Sequence, residues 1–248
     1  MTTAEKILRA KADIDAVYEA GKSQGGDTEA AFNEGKLAAE RERFEVLQKG
    51  GKATDYREMF AGASWTDETF KPIYDIKPTN AARMFPFSRI TNLKELLEKQ
   101  GVTLDLSNIT SGQVTQMFAN CRITDVGILN VSNANEVNYL FQDASYLVNV
   151  EKVILSGSGT QTFTQSFGAR NLVEIRFEGL FGKSADFKLC KSLSADSLNS
   201  IITHLSDTAT GQTITLPTTA ESTYNAKYGD GAWATLLSTK QNWSIAYA

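Results

Sequence analysis

The chain has 248 residues, is 42% hydrophobic and 22% charged, and carries a formal net charge of −4. That length buries a substantial core, in one elongated domain or two small ones, while the acidic balance argues against a nucleic-acid interface, which needs a basic stripe. Charges of both signs are interspersed without a basic run for an anionic membrane, no stretch approaches the ~18 apolar residues of a membrane span, and the opening residues lack the continuous apolar segment of a signal peptide.

Residues 3–48 read as helical and contain no proline. Ile7, Ala10, Ile14, Val17 and Gly21 follow a–d spacing, short of the three or four heptads that define a coiled coil. Gly25-Gly26-Asp27-Thr28 is a break with a cap for a second helix. That helix carries Phe32, Gly35, Ala39, Phe44 and Leu47 on its apolar side and stops at Gly50-Gly51. Isolated helices of this length are marginal in water. Residues 1–50 are therefore expected to dock or oligomerise, burying Ile7, Ile14, Val17, Phe32 and Phe44 against other chains. A helical cap folded on the following residues is the alternative.

From Tyr56 onward a phenylalanine-led unit recurs: Phe85-x4-Ile90, Phe118-x4-Ile123, Phe141-x5-Leu147 and Phe167-x4-Leu172, with a degenerate copy at Phe60-x4-Trp65. The gaps between these phenylalanines are 25, 33, 23 and 26 residues, the range of a repeating supersecondary unit too small to bury its own apolar face. Short segments with period-2 alternation fall once per unit: Tyr74–Ile76, Val102–Leu106, Ile128–Val131, Val153–Leu155 and Ile175–Phe177. Leu104-Asp-Leu106-Ser-Asn108 returns 25 residues later as Leu129-Asn-Val131-Ser-Asn133, an asparagine after each strand being suited to the backbone groups freed at the turn. Asn92–Gln100, closed by Gly101, reads as an inserted helix that explains the longest gap. The expected fold class is α+β: a solenoid over 51–192 between the N-terminal helical segment and a C-terminal cap.

Residues 193–248 read as that cap. Ser194–Leu205 is a capped helix with Leu198, Ile201, Ile202 and Leu205 inward. Thr213–Leu216 is a strand ended by Pro217, Tyr224–Lys240 is a helix interrupted at Gly229-Asp230-Gly231, and Trp243–Tyr247 is an edge strand.

The chemistry-bearing residues are sparse. His204 is the sole histidine and stands beside apolar neighbours; no G-x-S-x-G turn accompanies it, and its expected role is structural. Cys121 and Cys190 lack CxxC or histidine partners, and Cys121, directly behind a repeat phenylalanine, is expected to be a buried, reduced thiol. Asp75 and Asp105 form a conceivable carboxylate pair but read better as a solvated edge. Ser156–Gly159 lacks the lysine of a phosphate loop and reads as a turn. No cofactor or metal is expected, and the chain does not read as an enzyme. Asp75, Asp105, Asn130 and Arg176 alternate with inward residues and form the candidate binding face. Tyr146, Tyr224, Tyr228, Trp233 and Tyr247 fall outside the repeat pattern; most are expected to pack the cap, although exposed Tyr and Trp commonly contact sugars and proteins.

The phenylalanine units resemble BspA-type leucine-rich repeats over roughly 56–190. Four segments are similar to repeat proteins of prophages in Gram-positive bacteria: Ala31–Lys36, Phe60–Pro72, Tyr74–Asn80 and Asp196–Ile202. The resemblance implies a leucine-rich-repeat-like solenoid and a virion component of tail, baseplate or fibre type, displaying its body for host-surface protein or glycan binding. It also implies assembly with other virion proteins and with itself, a trimer being favoured, without nucleic-acid binding or membrane insertion. Localisation in the virion, after assembly in the host cytoplasm, follows from that reading; a bacterial cell-surface adhesin is the alternative.

Overall fold

Residues 55–62, 65–72 and 75–248 are described by the computed structural model, and all belong to the unit Thr54–Ala248. The expected helices of residues 1–50, with Ile7, Ile14, Val17, Phe32 and Phe44, lie outside the described residues, as does Tyr74.

The phenylalanines organise the first two thirds of this unit. Phe60, Phe85, Phe118, Phe141 and Phe167 are at most 1% exposed. Phe60 stacks on Phe85 at 5.2 Å between ring centres, Phe85 on Phe118 at 5.3 Å and Phe118 on Phe141 at 5.6 Å, while Phe141 and Phe167 are tilted at 6.4 Å. Such offset ring pairs add about 0.5–1.5 kcal/mol each to the area they bury. The backbone follows the rings. The N–H of Phe60 donates to Met84 O, that of Phe85 to Met117 O, that of Phe118 to Leu140 O and that of Phe141 to Ser166 O, each at 2.9–3.0 Å. Two residues before each ring the chain turns through positive φ, at Glu58, Arg83, Gln116, Tyr139 and Gln165, which aims the next side chain inward.

Helix α1 (Leu93–Gln100) starts where Asn92 Oδ1 accepts from Glu95 N and ends at Gly101 in the left-handed region, whose N–H donates to Glu98 O and Leu97 O. Strands β1 (Ile128–Asn130), β2 (Asn149–Ile154) and β3 (Glu174–Glu178) then form a parallel sheet in that order. Leu129, Val150, Val153, Ile175 and Phe177 point inward and are at most 4% exposed. Strand β4 (Ala185–Asp186) opens a second parallel sheet, completed by β5 (Gln212–Leu216) and β6 (Trp243–Tyr247) in the order β4-β5-β6. Between β4 and β5 lies α2 (Ala195–Thr203), capped by Ser194. Helices α3 (Ala220–Tyr228) and α4 (Ala232–Ser238) make the crossover from β5 to β6. The single interrupted helix expected over Tyr224–Lys240 is thus two, because Gly229 and Gly231 take φ of +99° and +77°.

The leucine-rich-repeat-like solenoid is corrected by this topology. The described residues form two separate three-stranded parallel sheets and four helices, an α+β mixture without one continuous strand ladder. Two local causes divide the strands. Ile76 pairs with Leu104 only as an isolated bridge, the chain between these two residues having left as α1, while Leu129 pairs with Val153 in β2. At the other end the β3 edge is covered by a helix: Ile175 N donates to Ser197 Oγ and Phe177 N to Ser200 Oγ, both at 2.9 Å. Serines of α2 occupy the places where a fourth strand would bond.

Candidate binding surface

The outward positions of the first sheet are Ile128 and Asn130 on β1, Glu151, Lys152 and Ile154 on β2, and Arg176 and Glu178 on β3. Val150 pairs with Ile175 and Val153 with Phe177, so Glu151 and Lys152 together face the single residue Arg176. This extra residue is a β-bulge, which re-aims side chains at a sheet surface. Lys152 Nζ reaches Glu178 at 3.0 Å, and Glu151 turns to Lys94 on α1 at 2.8 Å. The hydrogen bond to Glu151 raises the Lys94 pKa above its ordinary value. These are exposed pairs, worth roughly 0–1 kcal/mol each, so they set the charge pattern more than the stability.

Between α1 and β1 lies a groove of about 360 Å³. Leu97, Leu104 and Ile128 supply its apolar lining, and Lys94, Glu98, Thr103, Asp105, Asn130 and Glu151 its polar lining. Ile128 is 47% exposed, an apolar side chain left uncovered beside a charged rim.

Two of the four sequence-derived binding residues, Asp105 and Asn130, meet in this groove. Their carboxyl and amide oxygens are engaged locally. Asp105 Oδ1 accepts from Ser107 N at 3.0 Å, and Asn130 Oδ1 from Ser132 N at 3.1 Å and Ser132 Oγ at 2.7 Å. The same two-residue Asx turn recurs at Asp55, Asn80, Asp125 and Asp186. Asp75 neighbours the groove through Thr103, whose N and Oγ1 both donate to its Oδ1 at 2.8 Å. The Thr103 hydroxyl, then the Thr103 N–H and then Lys77 hold the Asp75 carboxyl below its ordinary pKa. Arg176 stands apart, on β3 at the far side of the sheet, exposed and within the field of Asp196 on α2.

Lys94, Ile128, Glu151, Lys152 and Glu178 were not among the expected contacts. Period-2 alternation has no place for the bulge; the alternation that turns Asn130 outward also turns Ile128 outward, and this was the signal that could have found it.

The expected bystanders occupy defined places. His204 ends α2, with Nδ1 2.7 Å from Ser200 O; as the carbonyl only accepts, Nδ1 carries the hydrogen. Cys121 and Cys190 are buried free thiols, and desolvation pushes each pKa up to about 12. Trp233 and Tyr224 pack inside the terminal helices, whereas Tyr146, Tyr228 and Tyr247 are 44–52% exposed. The Tyr228 hydroxyl donates to Asp196, which also binds Lys227 Nζ at 2.6 Å, tying α3 to α2. Lys227 first and Tyr228 second hold the Asp196 carboxyl below its ordinary pKa. Among the described residues no group of three His, Cys, Asp or Glu side chains is placed to hold a metal, and no helix is long and apolar enough to cross a membrane. Compared with protein-family models, curated proteins and solved structures, the chain finds no match in any of the three.

Proposed function

We propose that this chain is a non-enzymatic structural component of a phage virion, of tail, baseplate or fibre-like type, whose body offers a binding surface to a host-surface molecule or another protein. The observation that supports a binding role is the groove between α1 and β1. It combines an uncovered Ile128 with a rim of both charge signs, on a scaffold whose successive turns are hydrogen-bonded to one another. A preformed surface of this kind loses little side-chain or loop entropy on association. The resemblance of four segments to prophage-encoded structural proteins supports the virion assignment. Residues 1–50 then serve assembly, with other virion proteins or with two further copies of the chain.

The test has two parts. Particles released from the strain that encodes the chain should contain it after gradient purification, detected by mass spectrometry. Labelled full-length protein should bind cells, and Ile128→Asp should abolish that binding while leaving the thermal transition unchanged. Purified particles lacking the chain would overturn the virion assignment. Recovery of the chain from the bacterial envelope instead would favour the adhesin.

A further inference from the structure

A second surface lies at a different corner of the same turns. Arg89 pairs with Thr66, its N–H donating to Trp65 O at 2.8 Å. The N–H of Arg122 donates to Ser88 O at 3.4 Å in the same pattern, which sets Arg122 beside Arg89. The Arg122 guanidinium lies 5.7 Å from the centre of the Tyr146 ring, and Asn171 Nδ2 donates to Ser145 O at 2.6 Å, bringing the turn of Arg170 next to that of Tyr146. Through these contacts arginine, arginine, tyrosine and arginine, all exposed, follow one another along a strip. Arg89, Arg122 and Arg170 form no ion pair among the described residues. The neighbouring acids have other partners: Asp67 accepts from Thr91 N at 2.7 Å, Asp125 from Gly127 N at 3.1 Å and Asn149 Nδ2 at 2.8 Å, and Glu174 from Ser197 Oγ at 3.4 Å. Three guanidinium groups without an ion pair among the described residues, on a chain of net charge −4, are a local feature that the overall charge hides.

Phe87 begins the strip and is 62% exposed at φ +59°. Two residues after each neighbouring ring the chain again takes positive φ, using Gly62, Asn120 and Asp143, the residue types that tolerate the left-handed region. Phe87 is the costly choice at that place, and on this chain its ring covers little.

We infer that Phe87, Arg89, Arg122, Tyr146 and Arg170 form a docking strip for an extended acidic segment of a partner protein that also carries apolar side chains. Guanidinium groups bind carboxylates through paired N–H bonds, and Arg, Tyr and Phe are the residue types concentrated at protein contacts. An anionic sugar polymer would use the arginines, but it offers little apolar surface to cover Phe87. The inference rests on the binding role proposed above; its test is a direct binding measurement that does not depend on virion incorporation.

Fluorescence polarisation with the full chain and a labelled peptide alternating glutamate with leucine should show binding that weakens with salt. The matching lysine–leucine peptide should not bind. Arg122→Glu should weaken the acidic peptide by about ten-fold or more. Phe87→Asn should weaken it too while raising the thermal midpoint, because asparagine tolerates the left-handed backbone; a purely structural phenylalanine would lower both. Absence of binding, equal binding by the Arg122→Glu variant, or preference for polyglycerol phosphate over the peptide would overturn the inference.

Discussion

Gln161 and Ser88 are both buried polar side chains, 1% and 0% exposed, and they stand at opposite ends of hydrogen-bond satisfaction. Gln161 Nε2 donates to Val131 O and Ala134 O, and its Oε1 accepts from Ser156 N, all at 2.7 Å. Among the described residues Ser88 Oγ has no partner. An unmade buried bond costs about 1–3 kcal/mol, whereas removing a group that makes none is neutral or favourable. Gln161→Leu should therefore destabilise by about 3 kcal/mol or more, and Ser88→Ala should leave the midpoint of urea unfolding unchanged or raise it. A loss of stability at Ser88→Ala would mean that the hydroxyl has a partner. The two thiols give a second reading at this scale. Each keeps its proton in the folded chain to about pH 12 because burial disfavours the thiolate, against an ordinary value of 9.0. That stabilisation is complete below pH 9 and lost as pH rises from 9 towards 12. Ellman's reagent at neutral pH should find neither thiol in the native protein and both in denaturant.

The elements show which signals are local. The start of α1 at Asn92 and its end at Gly101, the Ser194 cap of α2, and the strands β5 and β6 could be read from cap chemistry and alternation. The break between the sheets could not. It depends on Ser197 and Ser200, which look in sequence like ordinary polar positions on a helix yet hold the N–H groups of Ile175 and Phe177 from across the fold. Likewise the bulge at Glu151 and Lys152 is a matter of pairing with β3, invisible in β2 alone. The double substitution Ser197→Ala and Ser200→Ala should leave both strand amides unpaired. It should cost about 2–6 kcal/mol and speed amide hydrogen exchange at Ile175 and Phe177 above that of Val153. Unchanged exchange at those two amides would show that α2 does not seal the edge.

At the scale of the whole molecule, the phenylalanine stack was legible because one residue type returns at the same place in each turn. The candidate surface was legible only in part: Asp105 and Asn130 meet in the groove, while Arg176 is drawn towards Asp196, because side-chain alternation gives the face of a strand but not its distance from another. Residues 1–50 carry the assembly expectation. Full-length protein should sediment as an oligomer, a trimer being favoured. Deletion of residues 1–50 should leave a monomer with an unchanged far-ultraviolet signature from the remainder. A full-length monomer would remove that expectation.

The stacking of Phe85 on Phe118 bears on how such a chain can change over time. These rings are separated by 33 residues, the longest gap in the series, yet their planes differ by only 5°. The surplus length leaves the stack as α1 and returns to it by Leu104 without disturbing the rings. Because closing a longer flexible loop adds only slowly to the entropic cost, this corner acts as a splice point. Segments of other lengths and sequences whose ends lie close together can be exchanged for Leu93–Gln100, renewing the wall of the groove while the aromatic spine beneath it is inherited intact.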